Sequence, residues 1–175
     1  MIDLCPVCNA ISVRIPSSVF LPSLFVTFVT LLIVRFITVI KDKRRYVLCV
    51  LLIEFVFVVL CSTVICRKEI PVARLELIPF WTYSAISEPG LQVSLWDIVL
   101  NIALLVPLGV FVKLLYPFVS LWATLMIGLA FSCCIEASQY VFVRGVAQFD
   151  DVMHNTVGCC IGWILAKALV RVFEK

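Results

Sequence analysis

Ionisable and amide side chains gather in one part of a chain that is otherwise strongly apolar. Glu136 and Gln139 are followed by Arg144 and then by the adjacent Asp150 and Asp151. Carboxyl groups can transfer protons, and an arginine can hold a phosphate or pair with a carboxylate. Ionisable groups inside membrane-spanning segments are rare and are functional hypotheses by default. The chemistry they can perform depends on which elements bring them together.

The overall composition is that of a membrane protein. Of the 175 residues, 63% are hydrophobic and 14% are charged, and the mean hydropathy is +1.17. Runs of about 20 apolar residues cross a hydrocarbon core of about 30 Å. We therefore predict a single all-α, polytopic membrane domain at 18–175, preceded by an N-terminal tail at 1–17. Because no basic stripe with interleaved aromatic residues is present, nucleic acid is excluded as a partner.

The apolar runs predict about five spanning helices. Their approximate limits are 18–40, 46–66, 95–116, 119–142 and 150–173. Ser94 and Asp97 have the spacing of a helix cap at the start of the third span. The long loop between the second and third spans contains prolines, which oppose a continuous helix, and aromatic residues of the types that settle at the interface. We interpret this loop as an interfacial or shallow re-entrant segment.

The basic residues predict an orientation. They lie in the first connection at 41–45, at Lys113 between the third and fourth spans, and at the C-terminus in Lys167, Arg171 and Lys175. With five spans these three places share one side, which the positive-inside rule assigns to the cytoplasm. The N-terminus, the long loop and the loop at 143–149 are then outside.

Helical depth places the polar residues of three spans in one layer just beneath the outer surface. At about 1.5 Å per residue, Asn101, Glu136 and Asn155 lie at similar depths, and Arg144 in the outer loop is the natural cation for Glu136 or Asp151. A pocket in this layer is therefore predicted. The candidate ligand-binding residues are Asn101, Glu136, Gln139, Arg144, Asp150, Asp151 and Asn155.

Small residues predict close helix packing below this layer. Gly158 and Gly162 share one face of the fifth span at a spacing that lets a neighbouring backbone approach. Pro107 frees the carbonyl of Ala103 in the third span and favours a kink there, which neighbouring helices can accommodate.

Simpler roles than ligand binding are also open to these polar residues. Either Asp150 or Asp151 is suited to cap the fifth span, where a carboxylate accepts backbone N–H groups. The amide side chains of the layer could be plain interhelical hydrogen-bond pairs. For Glu54, near the middle of the second span, two alternatives stay open: a protonated carboxyl group, or a pair with Arg35 on the neighbouring helix.

Metal and cofactor sites are not indicated. The chain has nine cysteines and one histidine. Cys5 and Cys8 form a CxxC pair, but a zinc site needs about four ligands and no second CxxC or nearby histidine completes it. His154 lies one residue off the face shared by Asp151 and Asn155, where it could meet headgroups or a loop. We expect no metal and no cofactor.

Taken in series, these motifs resemble the VanZ-like family, small bacterial membrane proteins named for a protein of teicoplanin resistance. The matching pieces cover roughly residues 75–165. They are Ile78-Pro79-Phe80, Asn101 to Pro107 followed by Gly109, Glu136-x-x-Gln139, and Arg144 followed by Asp151, Asn155, Gly158 and Gly162. Family members often carry a further acidic residue where this chain has 145–149, and its absence argues against a multi-carboxylate metal site. The resemblance adds Gly109 to the packing residues.

The resemblance implies a multi-pass protein of the bacterial cytoplasmic membrane and a role in glycopeptide tolerance. One hypothesis is a non-catalytic protein whose outward pocket binds an envelope lipid or lipid-linked wall precursor, with membrane lipids or a glycopeptide as further partners. A second is an intramembrane enzyme acting on an envelope lipid or polyprenyl phosphate, with Glu136 as acid/base and Asp151 as the other catalytic candidate. A third is a polar core that only fixes helix register. The absent acidic residue favours binding over catalysis.

Overall fold

The computed structural model describes residues 27, 29–31, 43–67, 69–86 and 94–173. The predicted N-terminal tail, the pair Cys5 and Cys8, and Arg35 lie outside the described residues. Of the predicted first span, Thr27 and residues 29–31 are described, and they are helical.

Long helices dominate the described chain. Four stretches are long and apolar enough to cross a membrane: Lys43–Ile65, Leu95–Leu115, Leu121–Val141 and Phe149–Val172. The prediction of an all-α membrane bundle is confirmed, and two short strands add to it. The elements are α1 (Lys43–Leu60), which continues as a π-helical turn (Cys61–Ile65), β1 (Arg74–Glu76), α2 (Trp81–Ala85), α3 (Leu95–Leu115), α4 (Leu121–Val141), β2 (Val146–Gln148) and α5 (Phe149–Phe173).

The most extensive helix contact is between α3 and α5, and glycines on both helices bring the backbones together. A Cβ atom on Gly158 would lie 1.8 Å from the carbonyl oxygen of Ile102. One on Gly162 would lie 1.9 Å from the carbonyl oxygen of Val106, directly before the proline that α3 contains. From the other side, a Cβ on Gly109 would lie 1.9 Å from a backbone oxygen of α5. No larger residue fits at these three positions without separating the helices.

A buried apolar cluster connects this helix pair to α1 and α4. It consists of Val59, Leu105, Leu108, Val112, Ile135 and Cys159. Cys159 has no exposed surface, which is the ordinary role of a cysteine as a small core residue. The four long helices therefore share one core, and their ends are fixed relative to one another.

The long loop is tied to the loop between α4 and α5 by a parallel strand pair. Arg74 pairs with Val146, and Glu76 pairs with Gln148. The loop then forms the short helix α2, which is preceded by Phe80 with a φ of 63°. This segment, predicted to be interfacial, is thus folded against the start of α5 by strand pairing and side-chain contacts.

The two ends of the bundle differ in chemistry. We call one the polar end: it contains the strand pair, α2, the start of α5 and the end of α4. We call the other the basic end. Among the described residues it carries Lys43, Arg44, Arg45, Lys113, Lys167 and Arg171.

Candidate functional site at the polar end

Glu136 projects from α4 and is 7% exposed. Its Oε2 atom accepts a hydrogen bond of 2.9 Å from the backbone N–H of Gln148. The carboxylate therefore holds β2 in place, close to the point where the chain enters α5. A backbone donor to a buried carboxylate is a strong, orienting contact.

Asn101 and Asp151 join α3 to α5 in the same region. The side-chain amide of Asn101 donates to Oδ1 of Asp151 over 2.6 Å, and Asp151 is 9% exposed. Asp151 is also close enough to Glu136 for the two carboxyl groups to interact electrostatically. The structure thus brings together Asn101, Glu136 and Asp151 from three different helices.

Among the described residues, Arg67 supplies a positive charge close to these carboxyl groups. Its charge interacts with both Glu136 and Asp151. The side chain lies over Gly145, where an added Cβ would come within 2.5 Å of its Nε atom. Gly145 has a φ of 90°, a conformation that favours glycine. Its lack of a side chain leaves room for the guanidinium.

Arg144, predicted as the partner of Glu136 or Asp151, pairs elsewhere. Its guanidinium donates to the carbonyl oxygens of Ile65 at 2.6 Å and Arg67 at 3.1 Å. It also forms an ion pair of 2.8 Å with Glu69. Ile65 ends the π-helical turn, and a helix C-terminus exposes unpaired carbonyl groups that attract cations. Arg144 therefore anchors the end of α1 and the start of the long loop.

Asp150 also differs from its predicted capping role. It lies in the first turn of α5, but its carboxylate accepts from the backbone N–H groups of Phe80 at 2.7 Å and Thr82 at 2.8 Å. These N–H groups belong to the N-terminus of α2. Asp150 caps that short helix instead of α5 itself, and it is 3% exposed.

The two remaining amide side chains form interhelical hydrogen bonds. Gln139 Nε2 donates to the carbonyl oxygen of Thr63 at 3.2 Å, and Asn155 Nδ2 donates to the Ser132 hydroxyl at 2.8 Å. Within the described chain, Oε1 of Gln139 and Oδ1 of Asn155 are buried without a hydrogen-bond partner. Each amide therefore keeps an unused acceptor inside the bundle.

His154 faces α2. Its Nε2 atom lies 2.9 Å from the hydroxyl of Tyr83, and the two rings meet edge to face with centroids 5.7 Å apart. Two environments were predicted for His154, a loop or the lipid headgroups. The structure places it in direct contact with the long loop. Among the described residues there is no group of three His, Cys, Asp or Glu side chains that could hold a metal ion.

An apolar groove runs along the outside of the bundle beside Glu136. Its volume is about 360 Å³. The walls come from the strand β1, from one face of α4, and from the segment where β2 enters α5. They consist of Leu75, Leu77, Leu129, Cys133, Glu136, Ala137, Tyr140, Ala147, Gln148, Phe149 and Val152.

Glu54 has a partner from the first predicted span. The hydroxyl group of Thr27 donates a hydrogen bond to Glu54 Oε2. The alternative partner, Arg35, is outside the described residues. The contact with Thr27 is a polar link between helices, and the pair with Arg35 stays a prediction.

Sequence reasoning missed Arg67, Thr82, Tyr83 and the groove. Arg67 follows the second span in a loop with several charges, and nothing in its spacing distinguishes it from its neighbours. Thr82 and Tyr83 act through the fold of the long loop, which no periodic pattern encodes. The groove depends on β1 packing beside α4, so it exists only once the strand pair has formed.

These features define a multi-pass α-helical membrane protein whose polar residues converge at one end of the bundle. A family model described as VanZ/LLP1 matches residues 44–171. The match extends from α1 to the last turn of α5, beyond the segment of roughly residues 75–165 that carries the motifs, and the chain belongs to the VanZ/LLP1 family. No curated protein and no solved structure gives a significant match.

Proposed function

We propose that this VanZ/LLP1 protein binds a lipid-linked precursor of the bacterial cell envelope at the polar end. The precursor's hydrocarbon tail would occupy the groove beside Glu136, and its phosphate would lie near Arg67. By binding the precursor, the protein would reduce the access of glycopeptides such as teicoplanin to it and so contribute to tolerance. The observation that carries the proposal is the apolar groove of about 360 Å³ with a buried carboxyl group and a nearby cation at one side.

Selective binding in a membrane needs both the apolar groove and the nearby cation. A tail that leaves lipid for an apolar groove gains little from the hydrophobic effect, because the lipid is itself apolar. Selectivity must therefore come from the shape of the groove and from the headgroup. A guanidinium is well suited to a phosphate because its N–H donors match the oxygens in a bidentate geometry.

The same proposal assigns the polar end to the outer side of the bacterial cytoplasmic membrane. The support is the concentration of lysine and arginine at the opposite end, which the positive-inside rule assigns to the cytoplasm. Wall precursors and glycopeptides meet on the outer side, so the groove would open where both are present.

Binding is tested with the full chain in lipid nanodiscs and a purified lipid-linked wall precursor. Ala137→Trp places an indole in the groove, whereas Ala123→Trp places the same group at an exposed position of α4 nearly two turns before the first groove residue of that helix. We expect saturable binding for the natural chain and for Ala123→Trp, and at least a tenfold loss for Ala137→Trp. Arg67→Gln should weaken binding by a similar factor. Equal effects of the two tryptophans, or no saturable binding at all, would contradict the proposal.

Tolerance is a separate measurement. Expression in a susceptible host should raise the inhibitory concentration of teicoplanin, and Ala137→Trp at equal protein level should abolish the increase. If the precursor binds and the inhibitory concentration does not change, the binding proposal stands and the link to glycopeptides is wrong.

A second candidate is an intramembrane enzyme acting on an envelope lipid or polyprenyl phosphate. The observation that favours it is the pair of buried, interacting carboxyl groups, Glu136 and Asp151, beside one cation. Glu136 would act as acid/base, while Asp151 and Asn155 would orient water or substrate. Glu136→Gln discriminates because an amide oxygen can still accept from the N–H of Gln148. Loss of turnover with intact binding would support catalysis, and full activity would exclude proton transfer by this residue.

A further inference from the structure

A second cavity lies at the basic end, on the far side of the bundle from the groove. Its volume is about 290 Å³. Residues of α1, α3 and α5 and of the turn after α3 form its walls. They are Arg44, Lys113, Leu114, Pro117, Lys167, Val170 and Arg171.

Two of the cations are held by the same aromatic ring. The Nζ atom of Lys113 is 5.0 Å from the centroid of the Trp163 ring, and that of Lys167 is 4.7 Å from it. Lys113 also donates to the carbonyl oxygen of Pro117. The ring is itself fixed, because its Nε1 donates to the carbonyl oxygen of Val119 over 3.1 Å. The ammonium groups are therefore positioned by the fold, in contrast to lysines that extend freely into solvent.

Positive charges gathered around one cavity repel one another, and a bound anion lowers that repulsion. No carboxylate of the described residues lines the cavity. The described acidic side chains belong to the polar end, with the exception of Glu54, which is on α1 and bonds to Thr27. The contacts described for Lys113 and Lys167 are an aromatic face and a carbonyl oxygen. A bound anion would add the negative charge that suits these two ammonium groups.

We propose that the cavity at the basic end is a binding site for a phosphate ester. A phosphate offers several acceptor oxygens to donors arriving from different directions, as the lysines of α3 and α5 and the arginine of α5 do here. The apolar walls, Leu114 and Val170, suit the carbon portion of the ester next to the phosphate. Basic pockets between transmembrane helices bind anionic lipid headgroups by this chemistry. The ester can be such a headgroup or a soluble metabolite, and the site is independent of the groove.

Binding at this cavity would connect the ends of three helices. Because a ligand that binds only the folded protein stabilises it, thermal stability in neutral detergent should rise with ligand concentration. A diffuse attraction between basic residues and an anionic membrane would give neither saturation nor dependence on one lysine.

The test uses the full chain in neutral detergent, native mass spectrometry for stoichiometry, and thermal unfolding for affinity. The probes are dioctanoyl phosphatidylglycerol, its zwitterionic phosphatidylcholine counterpart, and glycerol 3-phosphate. We expect one phosphatidylglycerol per chain and no comparable site for phosphatidylcholine. Saturable binding of glycerol 3-phosphate with the same sensitivity to Lys167 would support the site and identify a soluble ester as an occupant.

Lys167→Gln should weaken binding at least tenfold, and Lys167→Arg should restore most of it. Lys43→Gln is the matched control: it removes one charge from the same end but does not line the cavity. Melting temperature without ligand shows that each variant folds. The proposal is overturned if no probe saturates, or if Lys43→Gln weakens binding as much as Lys167→Gln does.

Discussion

At the residue scale, the carboxylate of Asp150 joins positions 70 residues apart in the sequence. It satisfies the N–H groups of Phe80 and Thr82 at the start of α2. Phe80 has a φ of 63°, which is uncommon for a residue with a side chain. The two charge-assisted hydrogen bonds offset this strain and hold the long loop on α5.

Asp150→Asn should release this loop. An amide has one acceptor oxygen and presents an N–H₂ group to the second backbone donor, so about 1.5–3 kcal/mol of local stability is lost. Hydrogen exchange of the amides of Phe80 and Thr82 should then accelerate by roughly one to two orders of magnitude. Asp97→Asn is the control because Asp97 is bonded to Ser94 of its own helix. Unchanged exchange in Asp150→Asn would show that the carboxylate is not the anchor.

The arginines show what sequence can specify at this scale. The depth of Glu136 and Asp151 in the membrane indicated that a cation lies near them. Two arginines, Arg67 and Arg144, could supply it, and the position of Arg144 in the sequence favoured Arg144. The structure assigns Arg144 to the carbonyl groups at the end of α1 and gives Arg67 the electrostatic role. This choice depends on a π-helical turn and on the left-handed Gly145, and neither is visible as a pattern.

At the element scale, the contact between α3 and α5 determines where the polar residues meet. It aligns Asn101 with Asp151, whose side chains are 2.6 Å apart. The alignment requires backbones in direct contact, and hence the glycines at 109, 158 and 162. A change in the spacing of these helices would separate the amide from the carboxylate.

Gly158→Ala should destabilise the protein substantially. Its new Cβ would overlap the carbonyl oxygen of Ile102, which is backbone and cannot rotate away. Overpacking of this kind costs about 1–3 kcal/mol or more. The adjacent Val157→Ala, at an exposed position, should have little effect. Thermal unfolding in detergent measures both, and equal melting temperatures would mean that the helices are not in contact at Gly158.

Elements differ in how far the sequence determines them. The long helices follow from apolar runs, and α3 begins directly after Ser94, whose backbone N–H donates to Asp97 as the capping pattern predicts. The strands are three residues each and exist through their pairing with each other. Because that pairing joins loops that are distant in the sequence, no local pattern predicts it. The groove that β1 helps to form therefore could not be predicted either.

At the scale of the whole molecule, the separation of charge between the ends predicts orientation. An impermeant maleimide applied to intact cells should label Cys66, which is exposed at the polar end. Phe118→Cys, at the fully exposed turn of the basic end, should be labelled only after the membrane is opened. Mapping the modified peptides by mass spectrometry keeps the other cysteines from obscuring the result. The reverse pattern would place the groove on the cytoplasmic side.

The composition was sufficient to predict the fold class. Of the residues, 63% are hydrophobic, and they occur in long runs. Such runs cross a membrane as helices, because a helix satisfies its own backbone hydrogen bonds in lipid. The motifs were sufficient for the family. The candidate site was predictable in part: helical depth puts Asn101, Glu136 and Asn155 in one layer, and the structure joins Asn101 to Asp151 beside Glu136. The residues that hold the loops around it depend on tertiary contacts and emerged only from the structure.

The central claim is that the groove beside Glu136 holds the tail of an envelope lipid. A polyprenyl phosphate with a photoreactive group in its tail tests this most directly. Irradiation in nanodiscs should give adducts concentrated on the groove-lining residues of α4 and of β1 and the residue after it, among them Leu77, Cys133 and Ala137. Ala137→Trp should abolish the adducts and Ala123→Trp should not. Adducts spread evenly over the lipid-facing helices, and unchanged by Ala137→Trp, would contradict the claim.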